Sequence, residues 1–316
     1  IHCIEQCSLG WVLRYTHAMS QRPTDAATAT GVIGLGVMGR PMAANILRSG
    51  SPVHITGRSR AKYDDLIEAG AVWHDTGRSL ADAVGVIVLM LPDLPQVEEV
   101  LNGSDGILAG SFDDLLLIIA STSSPIGIRD LSQRLARETG GKVRVIDAPV
   151  SGGSEGAQAG TLSIMVGGDE RDVGDAWPAL AACGNPVYLG PLGSGQVAKA
   201  CNQMIVASTV LALGEAAVLA DRSGIDLAEL FGLLAGGYAG SRILETRGDR
   251  IVSEDYAPSG VARYMVKDLT FASAVAEATG THVVLLPAVR AAFEELTAQG
   301  HGDQDIAVTR RYIEQR

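Results

Sequence analysis

Short continuous apolar runs bounded by turn residues read as buried strands, and apolar positions spaced three and four apart read as helices. From Gly31 the chain alternates between the two. The strand-like runs are Gly31–Gly34, Val53–Thr56, Val86–Leu91, Leu115–Ala120, Val143–Ala148, Leu162–Gly167 and Val187–Leu189. Between the early ones, Arg40–Ser49, Arg60–Ala69, Gln96–Leu101 and Ile126–Glu138 carry helical spacing. Such alternation predicts βαβ units and a parallel sheet. After Gly195 the pattern changes. Nearly everything has helical periodicity, broken by turn signals at GG (236–237), APSG (257–260) and GHGD (300–303). The stretch from Gln196 to Asp221 is apolar on most faces, which predicts a buried helix. The expected organisation is an α/β domain over residues 30–193, then an all-helical domain over 194–316.

Residues 1–29 fit neither pattern. They lack an apolar core long enough for a signal peptide, and Met19 is a candidate natural start. This leader is expected to lie outside the fold, disordered or an artefact of start assignment. Composition adds little beyond this: 47% apolar and 19% charged residues describe an ordinary globular chain. The formal charge of −11 argues against nucleic acid or an anionic membrane as partner. No uninterrupted apolar run reaches the length of a membrane span. Four cysteines without a CxxC pair suggest neither a disulfide scaffold nor a zinc site, and a reduced, cytoplasmic setting is expected, with no metal.

The first candidate chemistry is GLGVMG, which follows the first strand and leads into a helix. Gly34, Gly36 and Gly39 have the GxGxxG spacing. Gly34 permits the tight turn, Gly36 lets backbone amides approach a pyrophosphate, and Gly39 lets the helix pack on the strand. In that strand–turn–helix context the motif predicts a Rossmann-like dinucleotide site. Gly34, Leu35, Gly36, Val37, Met38 and Gly39 are its expected cofactor-binding residues. An acid at the end of the second strand would select NAD, but this chain has Thr56-Gly57-Arg58-Ser59-Arg60. With no carboxylate to repel a 2′-phosphate, and Arg58 available to bind one as a fork, NADP is the preferred expectation over NAD.

Four later stretches fall where such a sheet presents ligands: MLPD (90–93), STSSP (121–125), DAPVSGG (147–153) and GQVAKACNQ (195–203). A fifth, VKDL (266–269), lies in the helical part. Together with GLGVMGRPMAAN these motifs, in this order over residues 30–315, resemble the β-hydroxyacid dehydrogenase family. GGSEGAQAGTLSIMVGGDE (152–170) and GGYAGSRILETRGDR (236–250) look most like its tartronate semialdehyde (2-hydroxy-3-oxopropionate) reductases. The resemblance implies that Lys199 is the catalytic lysine and Asn202 an amide that holds substrate. It implies further that Ser151, Gly152 and Gly153 bind the substrate carboxylate, and that Leu91, Pro92, Thr122 and Lys267 meet the cofactor. Asp305 matches a position without an assigned role. Two departures stand out: Gly57 replaces an Asp found in many relatives, and Ile119-Ala120 replaces an Asp-Met pair.

The residues themselves support that chemistry. A carbonyl accepting hydride develops negative charge on oxygen, and a positioned ammonium can donate a proton there. A helix N-terminus, with Lys267 as a possible neighbour, should lower the pKa of Lys199. Residues 199, 202 and 203 share a helical face, so Asn202 can orient substrate beside the lysine. Cys201 is expected in the core, and Met38 and Met42 are expected to pack. The expected reaction interconverts a small semialdehyde acid and a 3-hydroxy acid, with tartronate semialdehyde to glycerate first. The alternatives are 3-hydroxyisobutyrate or another short 3-hydroxy acid, and a non-catalytic dinucleotide sensor. An imine reductase on the same scaffold is disfavoured by Lys199. The apolar helical part also predicts a homodimer or homotetramer.

Overall fold

The structure, a computed structural model, describes residues 29–316. The expectation for the leader therefore lies outside the described residues, except for Ala29. The chain divides into two compact units that meet between Lys199 and Ala200.

The first unit begins with β1 (Thr30–Ile33), α1 (Gly39–Arg48), β2 (Val53–Thr56), α2 (Asp64–Glu68), β3 (Val72–Trp73) and α3 (Gly77–Ala81). It continues with β4 (Val86–Leu89), α4 (Leu94–Leu101), β5 (Leu115–Ile119), α5 (Pro125–Glu138) and β6 (Val143–Asp147). Among the described residues these strands form a parallel six-stranded sheet in the order β3-β2-β1-β4-β5-β6. That is the doubly wound arrangement, which places ligands outside the carboxyl ends of its strands where the order reverses, between β1 and β4.

Successive strand residues point to opposite faces, and both faces are covered. Val32, Val88, Leu116, Ile118 and Ile146 pack on one side with Met42 and Ile46 of α1. Ile33, Ile87, Leu89, Leu117 and Val145 pack on the other with Leu101 of α4 and Ile128 of α5. This double burial is why the strands read as unbroken apolar runs. A three-stranded sheet follows, built from β7 (Val150–Ser151), β8 (Leu162–Val166) and β9 (Gly184–Tyr188), with α6 (Gly153–Ala159) and α7 (Glu170–Cys183) between them. The last element of the unit is the start of α8 (Ser194–Arg222).

The second unit holds the rest of α8 with α9 (Leu227–Ala235), α10 (Arg242–Val252), α11 (Arg263–Thr279), α12 (Leu286–Leu296) and α13 (Thr309–Glu314). Its core is its own, centred on Leu269, Leu286, Phe293, Ile251 and Tyr312. Side-chain caps set several helix starts: Asp226 accepts from the Glu229 amide and Ser241 from the Leu244 amide. By length and composition α8 also matches a membrane span, but half of its most apolar window is buried in the protein.

Several elements differ from the sequence expectation. The helix expected over Arg60–Ala69 breaks at Tyr63 into a 3-10 turn and α2. The last strand begins at Gly184 rather than Val187. Two strands of two residues each, β3 and β7, are too short to leave a period in the sequence. The helix α7 carries Pro178 inside it, a residue that argues against a helix when only the sequence is read.

Candidate functional site

The glycine turn does three separate jobs. Gly34 takes a φ of +93°, and a Cβ there would overlap the Met90 carbonyl oxygen at the end of β4. A Cβ on Gly39 would overlap the Gly34 carbonyl oxygen, so the first residue of α1 sits directly on the turn. Gly36 is different: it is exposed, and nothing lies within 4 Å of where its Cβ would be. The turn is closed by the Gly36 amide donating to the Gly34 carbonyl at 2.9 Å. What remains is an open cradle in front of a helix N-terminus, which fits a pyrophosphate. Of the other loop residues, Leu35 is buried, Met38 packs against the core and Val37 is 75% exposed.

At the end of β2, Thr56 is buried while Arg58 and Arg60 are exposed. Tyr63 closes over Gly57: a Cβ at Gly57 would lie 2.9 Å from the tyrosine ring, and that ring stacks on Trp73 at 6.2 Å. An aspartate at position 57 would need the ring to move. The nearby acid Asp65 is paired with Arg40 at 2.8 Å. The hydrogen bond from Arg40 holds its carboxyl below the usual range.

Four motifs, far apart in sequence, join in one hydrogen-bonded framework at the carboxyl ends of β4, β5 and β6. The Leu91 amide donates to Ser121 Oγ at 3.1 Å, tying MLPD to STSSP. Gln196, buried in the first turn of α8, donates through Nε2 to the Ser121 carbonyl at 2.8 Å. Its Oε1 accepts from the Ser123 amide at 2.9 Å. Thr122, half-buried, lies between these two anchored serines, and Pro92 is exposed beyond Leu91. Asp147 of DAPVSGG completes the set: Oδ1 accepts from the Gly193 amide and Oδ2 from the Gln196 amide, both at 2.7 Å. Burial pushes this carboxyl up to about 6, against the two amides and the charge of Arg129, which hold it down.

Ser151 ends β7, and the two glycines after it take φ values of +135° and +65°. These are backbone conformations that a side chain would resist, and they leave Gly152 and Gly153 exposed. The helix α6 that follows is tethered to the dinucleotide helix by Asn45 of α1, whose amide donates to the Ala157 carbonyl at 2.7 Å. Lys199 lies on α8 one turn beyond Gln196 and is only 7% exposed.

The remaining predicted residues belong to the second unit. Asn202 donates to Gln203 Oε1 at 2.9 Å, and Gln203 donates to the buried carboxylate of Asp268 at 2.6 Å. Lys267 lies 3.6 Å from Asp268 and over the ring of Phe271. Cys201, expected in the core, is exposed instead. A helix apolar on most faces gives the sequence no polar stripe from which to place a single residue. Asp305 is fully buried: it accepts from the Gly260 and Ala307 amides and faces Arg247 at 3.2 Å and Arg250 at 3.5 Å. That environment makes it a structural anchor for the loop before α11.

Comparison with known proteins decides the family. Residues 29–193 match the model of the NAD-binding domain of 6-phosphogluconate dehydrogenase. Residues 193–313 match that of the NAD-binding region of NADP-dependent 3-hydroxyisobutyrate dehydrogenase. The 2-hydroxy-3-oxopropionate reductase of Escherichia coli K12 is 38% identical over 276 residues, 87% of this chain and 93% of that protein. The chain belongs to the β-hydroxyacid dehydrogenase family. As a member it is an NAD(P)-dependent oxidoreductase acting on hydroxyl groups. This β-hydroxyacid dehydrogenase also resembles solved relatives across 90% of its length and 99% of theirs. The 3-hydroxyisobutyrate dehydrogenase of Salmonella typhimurium matches with a TM-score of 0.81 at 26% identity. That of Mycobacterium tuberculosis, solved with L-serine, matches with a TM-score of 0.76 at 28% identity.

Sequence reasoning overlooked Asp147, Gln196 and Ser121. All three stood inside motifs already singled out, but each works through contacts with residues 30 to 75 positions away, which motif spacing does not reveal.

Proposed function

We propose that this β-hydroxyacid dehydrogenase uses NADPH to reduce tartronate semialdehyde (2-hydroxy-3-oxopropionate) to glycerate, and runs reversibly. The observation that carries the reading is Lys199, an ammonium-bearing side chain kept 7% exposed on a helix anchored at the carboxyl ends of β5 and β6. A lysine is almost never buried this far without a task or a partner. The bound nicotinamide would supply the hydride. Lys199 would donate the proton to the carbonyl oxygen as negative charge develops there, and take it back in alcohol oxidation. The Ser151 hydroxyl and the amides of Gly152 and Gly153 would hold the carboxylate. Asn202, three residues further along α8, would orient the substrate.

The cofactor would be held by Gly34–Gly39, Leu91, Pro92 and Thr122, and the family resemblance assigns Lys267 to the same role. Arg58 would take the 2′-phosphate. The preference for NADP is supported by the exposed Arg58 and by the absence of an acid from residues 56–60. The choice of substrate is supported by the Escherichia coli reductase, which is 38% identical.

The test is NADPH and NADH oxidation followed by absorbance with tartronate, methylmalonate and succinic semialdehydes. Tartronate semialdehyde with NADPH should give the highest kcat/KM. Faster turnover of methylmalonate semialdehyde would move the assignment to 3-hydroxyisobutyrate, and no turnover of any of the three would favour a sensor.

A further inference from the structure

We infer that Asp147 is a positioning residue for Lys199, acting by capping the helix that carries it. The inference rests on the proposed role of Lys199 as proton donor.

Asp147 is the last residue of β6 and is wholly buried. Its backbone exchanges both hydrogen bonds with Gly167, at 2.9 and 2.8 Å, so its Cα is fixed to the sheet. Its carboxylate then spans the entry to α8, one oxygen on the Gly193 amide and the other on the Gln196 amide. The seat is built to admit it. A Cβ on Gly167 would lie 2.5 Å from Oδ1, and one on Gly195 would lie 2.8 Å from Oδ2. The second anchor is Gln196, which joins the same turn to the Ser121 carbonyl and the Ser123 amide. Lys199 follows one turn later, within the part of the helix that these bonds hold.

Two consequences bear on a proton donor. A helix clamped at its first turn neither frays nor slides, and a displacement of about 1 Å at a reacting group costs on the order of a hundredfold in rate. The buried carboxylate also offsets the positive end of the helix dipole, which would otherwise disfavour the lysine ammonium. The charged group set against Asp147 is Arg129 of α5, whose Nε donates to the Leu192 carbonyl at 3.1 Å. A wholly structural cap would lower stability and leave the chemistry of each folded molecule untouched.

The experiment uses the full chain as Asp147→Asn, Gln196→Ala and Lys199→Ala, with thermal melting, NADPH affinity by fluorescence, and kcat for tartronate semialdehyde against pH. Per folded molecule, Asp147→Asn should lose at least about tenfold in kcat while binding NADPH within about twofold of wild type. The alkaline limb of its kcat profile should move to lower pH, because removing the anion leaves the ammonium facing an uncompensated helix terminus. Gln196→Ala should lose kcat without moving that limb, since no charge has changed. Wild-type kcat per folded Asp147→Asn molecule beside an inactive Lys199→Ala would overturn the inference and leave the proton-donor reading intact. An active Lys199→Ala would overturn that reading and the inference with it. Should Asp147→Asn not fold, wild-type kcat in Gln196→Ala would overturn the clamp.

Discussion

Lys199→Ala lowers kcat for the semialdehyde by at least about a hundredfold, the lower end of what general acid–base catalysis contributes. NADPH affinity stays near the wild-type value, because the cradle at Gly34–Gly39 is built from β1, β4 and α1 and does not include α8. Truncating a side chain that is only 7% exposed also shifts the melting temperature, because its buried stem is lost. Measurement of kcat, of cofactor affinity and of the melting temperature on one preparation separates these effects. A variant that keeps wild-type kcat would remove the lysine from the chemistry.

The second large effect divides the glycines of one motif. Gly39→Ala places a methyl on the Gly34 carbonyl oxygen, with Met90 Cβ only 3.3 Å away, and both neighbours are fixed in the sheet and its turn. Overpacking of this kind costs about 1–3 kcal/mol or more. In a domain of this size that lowers the melting temperature by roughly 2–4 °C per kcal/mol. Gly36→Ala has open space around the added methyl, so its melting temperature should match wild type. Its NADPH affinity should fall by about tenfold or more, because the methyl occupies the approach to the pyrophosphate. Equal melting temperatures for the two variants would show that the helix does not pack on the turn as described. Wild-type NADPH affinity in Gly36→Ala would show that the pyrophosphate does not rest there.

The contrast between those glycines also shows how far the sequence carries. Motif spacing was enough to assign the three positions separate roles, because each role depends on local backbone geometry. The strands were legible for a related reason: a sheet covered on both faces leaves unbroken apolar runs such as Leu115–Ile119. Features without a local signature were not legible. The strand β7, two residues long, pairs with β8 and has no period of its own. The cap formed by Asp147 reaches 46 positions along the chain to Gly193 and 49 to Gln196. Cys201 could not be oriented on a helix that is apolar nearly all round. The ring of Tyr63 over Gly57 was invisible too, although it bears on how this chain departs from relatives with an acid there.

The most direct test of hydride transfer to an aldehyde acid is the fate of the hydrogen itself. NADPH deuterated at both C4 positions is incubated with wild-type enzyme and tartronate semialdehyde, and the product is analysed by mass spectrometry and NMR. The expected result is glycerate carrying one deuterium on the carbon that was the aldehyde, in a one-to-one ratio with NADPH oxidised. Cofactor oxidation that yields unlabelled product, or no product, would contradict it.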